Sequence, residues 1–175
     1  MTPESAERIA KNLLHGLQQA CDNVEGVSIE IITPRLNVDI VVHTPGCEPY
    51  QKDPDDVGYD LRAEVDEVIH AGCRKLIPLG VSLAFPPTHG AFIFDKSGVA
   101  LKQGIIRMAG VIEGSYRDTW AAVLYNSSDE PWIIKKFDRV CQVVFLEITK
   151  VKFNKVTQLP ESARGTNGFG SSGVK

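Results

Sequence analysis

No run of apolar residues in this 175-residue chain approaches the roughly 20 needed to cross a bilayer, so no membrane span is expected. Excess charge of one sign is also missing. Twenty-two acids against 19 Lys and Arg leave a formal net charge of -3. That is too little to draw the chain to nucleic acid or to an anionic membrane by bulk electrostatics. The four cysteines, Cys21, Cys47, Cys73 and Cys141, form no C-x-x-C pair, and no histidines cluster with them. This argues against a zinc site and against a disulfide scaffold; a reducing, cytoplasmic setting is expected. His15, His43, His70 and His89 are scattered. The opening "MTPESAERIAKNLL" has no unbroken apolar stretch of the signal-peptide kind. There is no G-x-x-x-x-G-K-[ST], hence no P-loop. Residues 168–173, "GFGSSG", match G-x-G-x-x-G, but that motif works only between a strand and a helix. Val174 and Lys175, which follow in this sequence, make no helix.

Apolar residues at 43% and charged residues at 23% are ordinary for a globular chain, and the length suggests one domain with a real core. Thr2-Pro3-Glu4 reads as a helix start: a capping hydroxyl, Pro in the first turn, an acid near the dipole. Ile9, Leu13 and Leu17, with Ala10, Leu14 and Cys21 beside them, predict an amphipathic helix over 4–22 that ends near 23–26. After Gly26 the period changes. "VSIEII", "NVDIVVH", "KLIPLGVSLAF", "AFIFDK", "TWAAVLYN", "WIIKKF" and "RVCQVVFLEITKV" are short, rich in Val, Ile and aromatics, and punctuated by Pro, Gly, Asn and Asp. That pattern reads as an all-β sandwich or barrel. From about Leu159 the chain turns polar and glycine-rich. The expected division is an N-terminal helical extension (1–26), a β-barrel (27–158) and a C-terminal arm (159–175). "RGTNGFGSSG", residues 164–173, is open to two readings: a disordered tail, or an arm that folds over a phosphate-bearing ligand, with Arg164 for charge and Phe169 for stacking.

Five segments, read in order, carry a family resemblance: "VGYDL" (57–61), "DKSGVALKQGI" (95–105), "AGVIEGSYRD" (109–118), "FDRVCQVVF" (137–145) and "RGTNGFGSSG" (164–173). Together they resemble the five motifs of the trimeric dUTPase family, covering the chain from about residue 36 onward. The resemblance implies a jelly-roll-type distorted β-barrel, assembled as a homotrimer with active sites shared between subunits. It also implies Mg²⁺-dependent cleavage of dUTP to dUMP and pyrophosphate.

The resemblance also implies residue roles. The carboxylate that activates water is Asp in the family and Glu113 here, one methylene longer. Asp60 and Gln142 complete the expected catalytic set. Asp60, like Asp138, is expected to orient an arginine or a metal-bound water, and Gln142 to meet phosphate or position water. Tyr116 stands where a ring lies beneath the deoxyribose and leaves no room for a 2′-hydroxyl. Lys96-Ser97-Gly98 replaces Arg-Ser-Gly. Lys96 keeps the charge without the planar fork, and Ser97 donates to a phosphate oxygen. Arg139 belongs to the same phosphate-binding group. Asp95 stands where Pro is frequent, and a salt bridge to Lys96 or Arg139 is expected to absorb its charge. Arg107, Met108 and Gly110 occupy the hairpin whose backbone pairs with the base. In the arm, Arg164 meets the terminal phosphate, Phe169 stacks on the base, and Gly170, Ser171 and Ser172 wrap phosphate oxygens. Mg²⁺ is expected to ride mainly on triphosphate and water oxygens, with no direct protein ligand.

Three alternatives stand beside this reading. One is a related pyrophosphatase for another, modified pyrimidine deoxynucleotide. Another is a non-hydrolysing, nucleotide-binding regulatory protein, suggested by Glu113 and Lys96. The third is a plain β-sandwich interaction module. Deamination of dCTP on the same scaffold is disfavoured, because "TWAAVLYN" carries no acid.

Overall fold

The computed structural model describes residues 35–166 and, upstream of them, Lys11, Asn12, His15 and Gly16, which are helical. The rest of the helix expected over 4–22, the strand expected at "VSIEII" and the arm from residue 167 onward lie outside the described residues. The chain divides into two units, Met1–Asn37 and Val38–Lys175. The described residues of the second form eleven strands and one short helix: β1 (Asp39–Val42), β2 (Tyr59–Arg62), β3 (Glu67–Ile69), β4 (Arg74–Pro78), β5 (Val81–Ala84), β6 (His89–Asp95), α1 (Ser97–Gln103), β7 (Ile105–Arg107), β8 (Val111–Glu113), β9 (Ala121–Asn126), β10 (Trp132–Ile134) and β11 (Arg139–Glu147).

Every ladder among these strands is antiparallel. The strands form sheets in the orders β2-β11-β6-β8, β4-β9-β7, β1-β5 and β10-β3. This is the all-β, jelly-roll-like fold that the sequence predicts. Alternation explains it locally. Along β9, Ala122, Leu124 and Asn126 are buried while Ala121, Val123 and Tyr125 are half-buried, the two-residue period of a strand with one face on a core. The core gathers Leu61, Ile77, Leu79, Ile93, Trp120 and Val143 from six different segments. Each such side chain contributes about 1.5–3 kcal/mol on leaving water.

Two details differ from the reading of the sequence alone. The run "KLIPLGVSLAF" is two strands, separated at Leu79-Gly80, where Gly80 takes φ 68°. The second motif contains α1, which ends on Gly104 in the left-handed region (φ 63°), its N–H donating to the Ala100 carbonyl. Strands β3, β7 and β8 have three residues each, too short for a periodic signal.

Asn126 is fully buried and stitches loops to strands. Its Nδ2 donates to the carbonyls of Ile69 (2.9 Å) and Glu130 (2.7 Å). Its Oδ1 accepts from the Ser128 N–H (3.0 Å) and hydroxyl (2.7 Å). Every hydrogen-bonding position of the amide is thereby used.

Candidate active site

The residues of the first, second and fourth motifs meet at one end of the four-stranded sheet. Asp60 lies on β2, opposite Gln142 on β11. Gln142 is in turn opposite Phe94 on β6. Strand β11 is therefore flanked on both sides, and Gln142 is an interior-strand residue. Its Nε2 donates to the Asp95 carbonyl (2.9 Å). Its Oε1 lies so close to Gly58 that a Cβ there would collide with it, which explains the glycine of "VGYDL".

The Asp60 carboxylate holds two cations. The Lys96 ammonium donates to Oδ1 (2.9 Å) and Oδ2 (2.8 Å), and Arg139 Nη1 donates to Oδ2 at 3.1 Å. This corrects one expectation: the carboxylate that absorbs Lys96 and Arg139 belongs to Asp60, not Asp95. The Asp60 carboxylate can take both because the β2–β11 register sets it between the end of β6 and the start of β11. Asp95 instead accepts the backbone N–H of Arg107 on Oδ1 at 2.7 Å. Asp138 also departs from its expected role. Its Oδ2 accepts the Lys135 N–H (2.8 Å) and so caps the turn into β11, in which Phe137 adopts φ 73°.

Two neighbours of this cluster, Tyr50 and Arg62, were missed in the sequence. Tyr50 exchanges both backbone hydrogen bonds with Asp60 (2.7 and 2.9 Å). Its ring is flanked by the guanidinium carbons of Arg62 (5.4 Å) and Arg139 (5.5 Å). The signal available was slight, an aromatic ten residues before Asp60, since only the isolated bridge between them brings the ring under Arg139.

Ser97 and Gly98 open α1 and are exposed. The helix start carries no side-chain cap and no acid in its first turn, so nothing negative on α1 competes for that end. Arg107, Met108 and Gly110 were expected from the resemblance to stand at the base. Arg107 sits with its guanidinium carbon 5.2 Å from the Phe94 ring centroid, and the Met108 N–H donates to the Val123 carbonyl (2.9 Å). The Gly110 carbonyl accepts the Ile93 N–H (2.7 Å). A Cβ on Gly110 would stand 2.9 Å from both Cβ and the carbonyl oxygen of Ile93, so this close approach requires glycine.

Glu113 and Tyr116 stand elsewhere. The Tyr116 N–H donates to the Glu113 carbonyl (3.0 Å), a turn that sends both side chains to one cavity of about 520 Å³. Leu76, Pro78, Val111 and Thr119 line it too, and Asp60, Lys96, Arg139 and Gln142 do not. The Glu113 carboxylate makes no hydrogen bond or ion pair with a described residue. Arg164 lies in an exposed turn at 163–166. Phe169, Gly170, Ser171 and Ser172 lie outside the described residues. No group of three or more His, Cys, Asp or Glu suited to a metal occurs among the described residues. Of the described cysteines, Cys47, Cys73 and Cys141 are free. Burial, with the Asp60 and Asp95 charges adding to it, pushes the Cys141 thiol up to about 12.

Residues 46–173 match the family model for dUTPase, which spans all five motifs. The chain belongs to the dUTPase family. Among its relatives are deoxyuridine 5′-triphosphate nucleotidohydrolases of Leifsonia xyli subsp. xyli, 38% identical over 150 residues (84% of this chain, 91% of that protein), and of Streptomyces coelicolor, 32% identical over 148 residues (83% and 78%). Among solved structures, the dUTPase of Staphylococcus bacteriophage 80alpha with dUPNHPP superposes with a TM-score of 0.73 at 21% identity, covering 79% of this chain and 99% of that one. A dUTPase of phage phi11 of S. aureus, described for its coordination of a structural Mg(II) ion, superposes with a TM-score of 0.66 at 15% identity, covering 71% and 99%. At these identities the structural likeness speaks for the fold. No helix among the described residues is long and apolar enough to cross a membrane.

Proposed function

We propose that this dUTPase-family chain hydrolyses dUTP to dUMP and pyrophosphate, with Glu113 activating the water. The observation that carries the reading is the family match across all five motifs in order. The gathering of Asp60, Lys96, Arg139 and Gln142 from three separate motifs supports it.

The Glu113 carboxylate takes a proton from water as its oxygen attacks the α-phosphorus. The bond from that phosphorus to the α,β-bridging oxygen breaks, and pyrophosphate leaves with the electron pair. Lys96 and Arg139 supply positive charge for the triphosphate. Held on one Asp60 carboxylate, they are pre-positioned and partly neutralised, so they do not repel each other before substrate arrives. Gln142, fixed through the Asp95 carbonyl, offers its remaining amide positions to phosphate or water. Tyr116 excludes a 2′-hydroxyl, and the Met108–Gly110 backbone reads the base. Arg164, Phe169, Gly170, Ser171 and Ser172 close over the nucleotide. The residues present fit a Mg²⁺ that would be carried mainly by triphosphate and water oxygens, since the Asp60 carboxylate is already engaged by Lys96 and Arg139. Mg²⁺, when bound, neutralises charge that develops on the phosphate oxygens.

The complete site is shared between copies of a homotrimer. Two observations support sharing. Glu113 and Tyr116 line a cavity that the Asp60 cluster does not enter. Leu76 and Val111 on its wall are 59% and 67% exposed, apolar surface that a neighbouring copy would cover. The free thiols fit a reducing, cytoplasmic setting.

The test is pyrophosphate release from dUTP, dCTP, dTTP and UTP, with and without Mg²⁺. Selective, metal-dependent turnover of dUTP is expected. Turnover of another deoxypyrimidine instead would favour the second reading, which the exposed Met108 and the ring-stacked Arg107 support. Binding of dUTP with no turnover would leave a nucleotide-binding protein on this scaffold.

A further inference from the structure

The end of β6 ties together three elements through two consecutive residues. The Asp95 carbonyl accepts from Gln142 on β11, and its carboxylate accepts from the backbone of Arg107 on β7. Lys96, next in the chain, reaches Asp60 on β2. The Arg107 bond is the unusual one. Among the described residues, strand β7 is the outer strand of its sheet and pairs with β9 alone. On an antiparallel strand successive N–H groups point to opposite sides. The Met108 N–H is used on the β9 side, so the Arg107 N–H faces away from β9, at an edge where no described strand receives it. A half-buried edge N–H without a partner is unfavourable. Asp95 Oδ1 supplies the acceptor at 2.7 Å and bridges the four-stranded sheet to the three-stranded one.

From this geometry we infer that Asp95 is a positioning residue for base recognition. It acts through the Arg107 backbone on the turn Met108-Ala109-Gly110, which it fixes from upstream while the Ile93 N–H fixes it from downstream at the Gly110 carbonyl. The same residue leads directly into Lys96 and Ser97. Base-reading backbone and phosphate-binding side chains therefore share one anchor, and a base that displaces the turn also displaces the phosphate contacts. Asp95 itself touches no substrate. Its contribution is the placement of backbone atoms.

The kinetic part of this inference rests on the dUTP reading, and the structural part does not. The experiment compares the wild-type chain, Asp95→Ala and Asp95→Asn. Amide hydrogen exchange at Arg107 reads the contact directly, whatever the substrate. Asp95→Ala is expected to speed exchange at Arg107 about tenfold or more. Asp95→Asn retains an Oδ1 acceptor and is expected to stay within about threefold of wild type. In turnover, Asp95→Ala is expected to raise KM for dUTP about tenfold and to narrow the kcat/KM ratio of dUTP over dCTP, with kcat held within about threefold and Asp95→Asn restoring both. Unchanged exchange at Arg107 in Asp95→Ala would overturn the contact. Changed exchange with KM and base discrimination unaltered would overturn the positioning role. Failure of the wild type to release pyrophosphate from dUTP, with the exchange pattern as expected, would overturn the substrate reading and leave the anchor standing.

Discussion

Glu113→Gln separates chemistry from stability, because the structure gives this side chain nothing else to do. It lies exposed at the end of β8, and its carboxylate makes no hydrogen bond or ion pair with a described residue. The substitution conserves shape, removes the base, and disturbs no ion pair. Its effect on folding should remain within about 0.5 kcal/mol, a shift of about 2 °C or less in Tm for a chain of this size. Its effect on the reaction should be far larger. A positioned general base contributes about 10²–10⁴ in rate, so kcat for pyrophosphate release should fall by about 10³, or about 4 kcal/mol of barrier. KM should change little, since the carboxylate meets water rather than nucleotide. Glu113→Asp carries the same logic further. It withdraws the carboxylate by about 1 Å, and a misplacement of that size reduces rate by up to about 10²-fold; its kcat should lie between those of wild type and Glu113→Gln. The assay is steady-state pyrophosphate release at saturating dUTP, with Tm measured on the same samples. A Glu113→Gln variant that keeps kcat within threefold of wild type, folded and at unchanged Tm, would refute the assignment of the base.

Asp60→Asn leaves Lys96 and Arg139 facing each other without their shared counter-ion. The Asp60 side chain is 14% exposed and its partners 29% and 42%, so the loss falls between surface and buried pairs, about 1–2 kcal/mol. Calorimetry should show Tm lowered by about 3–6 °C, with the difference shrinking in high salt; an unchanged Tm would mean that the pairs contribute nothing. Gly110→Ala places a Cβ against Ile93, backbone included, and should destabilise the fold by about 1–3 kcal/mol while raising KM, both measurable by urea titration and kinetics. At alkaline pH the Cys141 thiol sets a limit. Its folded value is raised from 9.0 to about 12, so between those values the unfolded chain has lost a proton that the folded chain retains. Stability is therefore full below about pH 9 and declines above it, by at most about 1.4 kcal/mol per pH unit. Urea midpoints across pH 8–11 should fall in the wild type and fall less in Cys141→Ala.

The barrel was legible because its strands advertise themselves. "TWAAVLYN" and "RVCQVVFLEITKV" carry the β-branched residues and the two-residue period that β9 and β11 display, and the order of the five motifs pointed to the family. Partnerships were less legible. Asp60 lies 36 residues from Lys96 and 79 from Arg139, and only the register of β2, β11 and β6 makes one carboxylate serve both. From sequence, Asp95 was the nearer acid and the natural partner. Its carboxylate was claimed by a backbone N–H at a sheet edge, a need invisible until β7 is known to be outermost. Asp138 likewise went to its own turn, where the left-handed Phe137 leaves an N–H to satisfy nearby. Short local hydrogen bonds of this kind compete for Asp side chains before distant arginines do.

The buried amide of Asn126 bears on how long the molecule lasts. Asparagine ages by loss of ammonia when the next residue's backbone nitrogen attacks the side-chain carbonyl carbon, and Asn is among the thermolabile residues. Here that nitrogen belongs to Ser127, and its N–H is tied to the Gly104 carbonyl at 2.9 Å, while the Asn126 side chain is held at both ends by four hydrogen bonds. The attack needs both groups to rotate free at once. Conversion to Asp would set a carboxylate against two carbonyl oxygens that accept and cannot donate. The same bonds that join the loops to β9 thus act as a preservative, and chemical decay at this position waits on local unfolding.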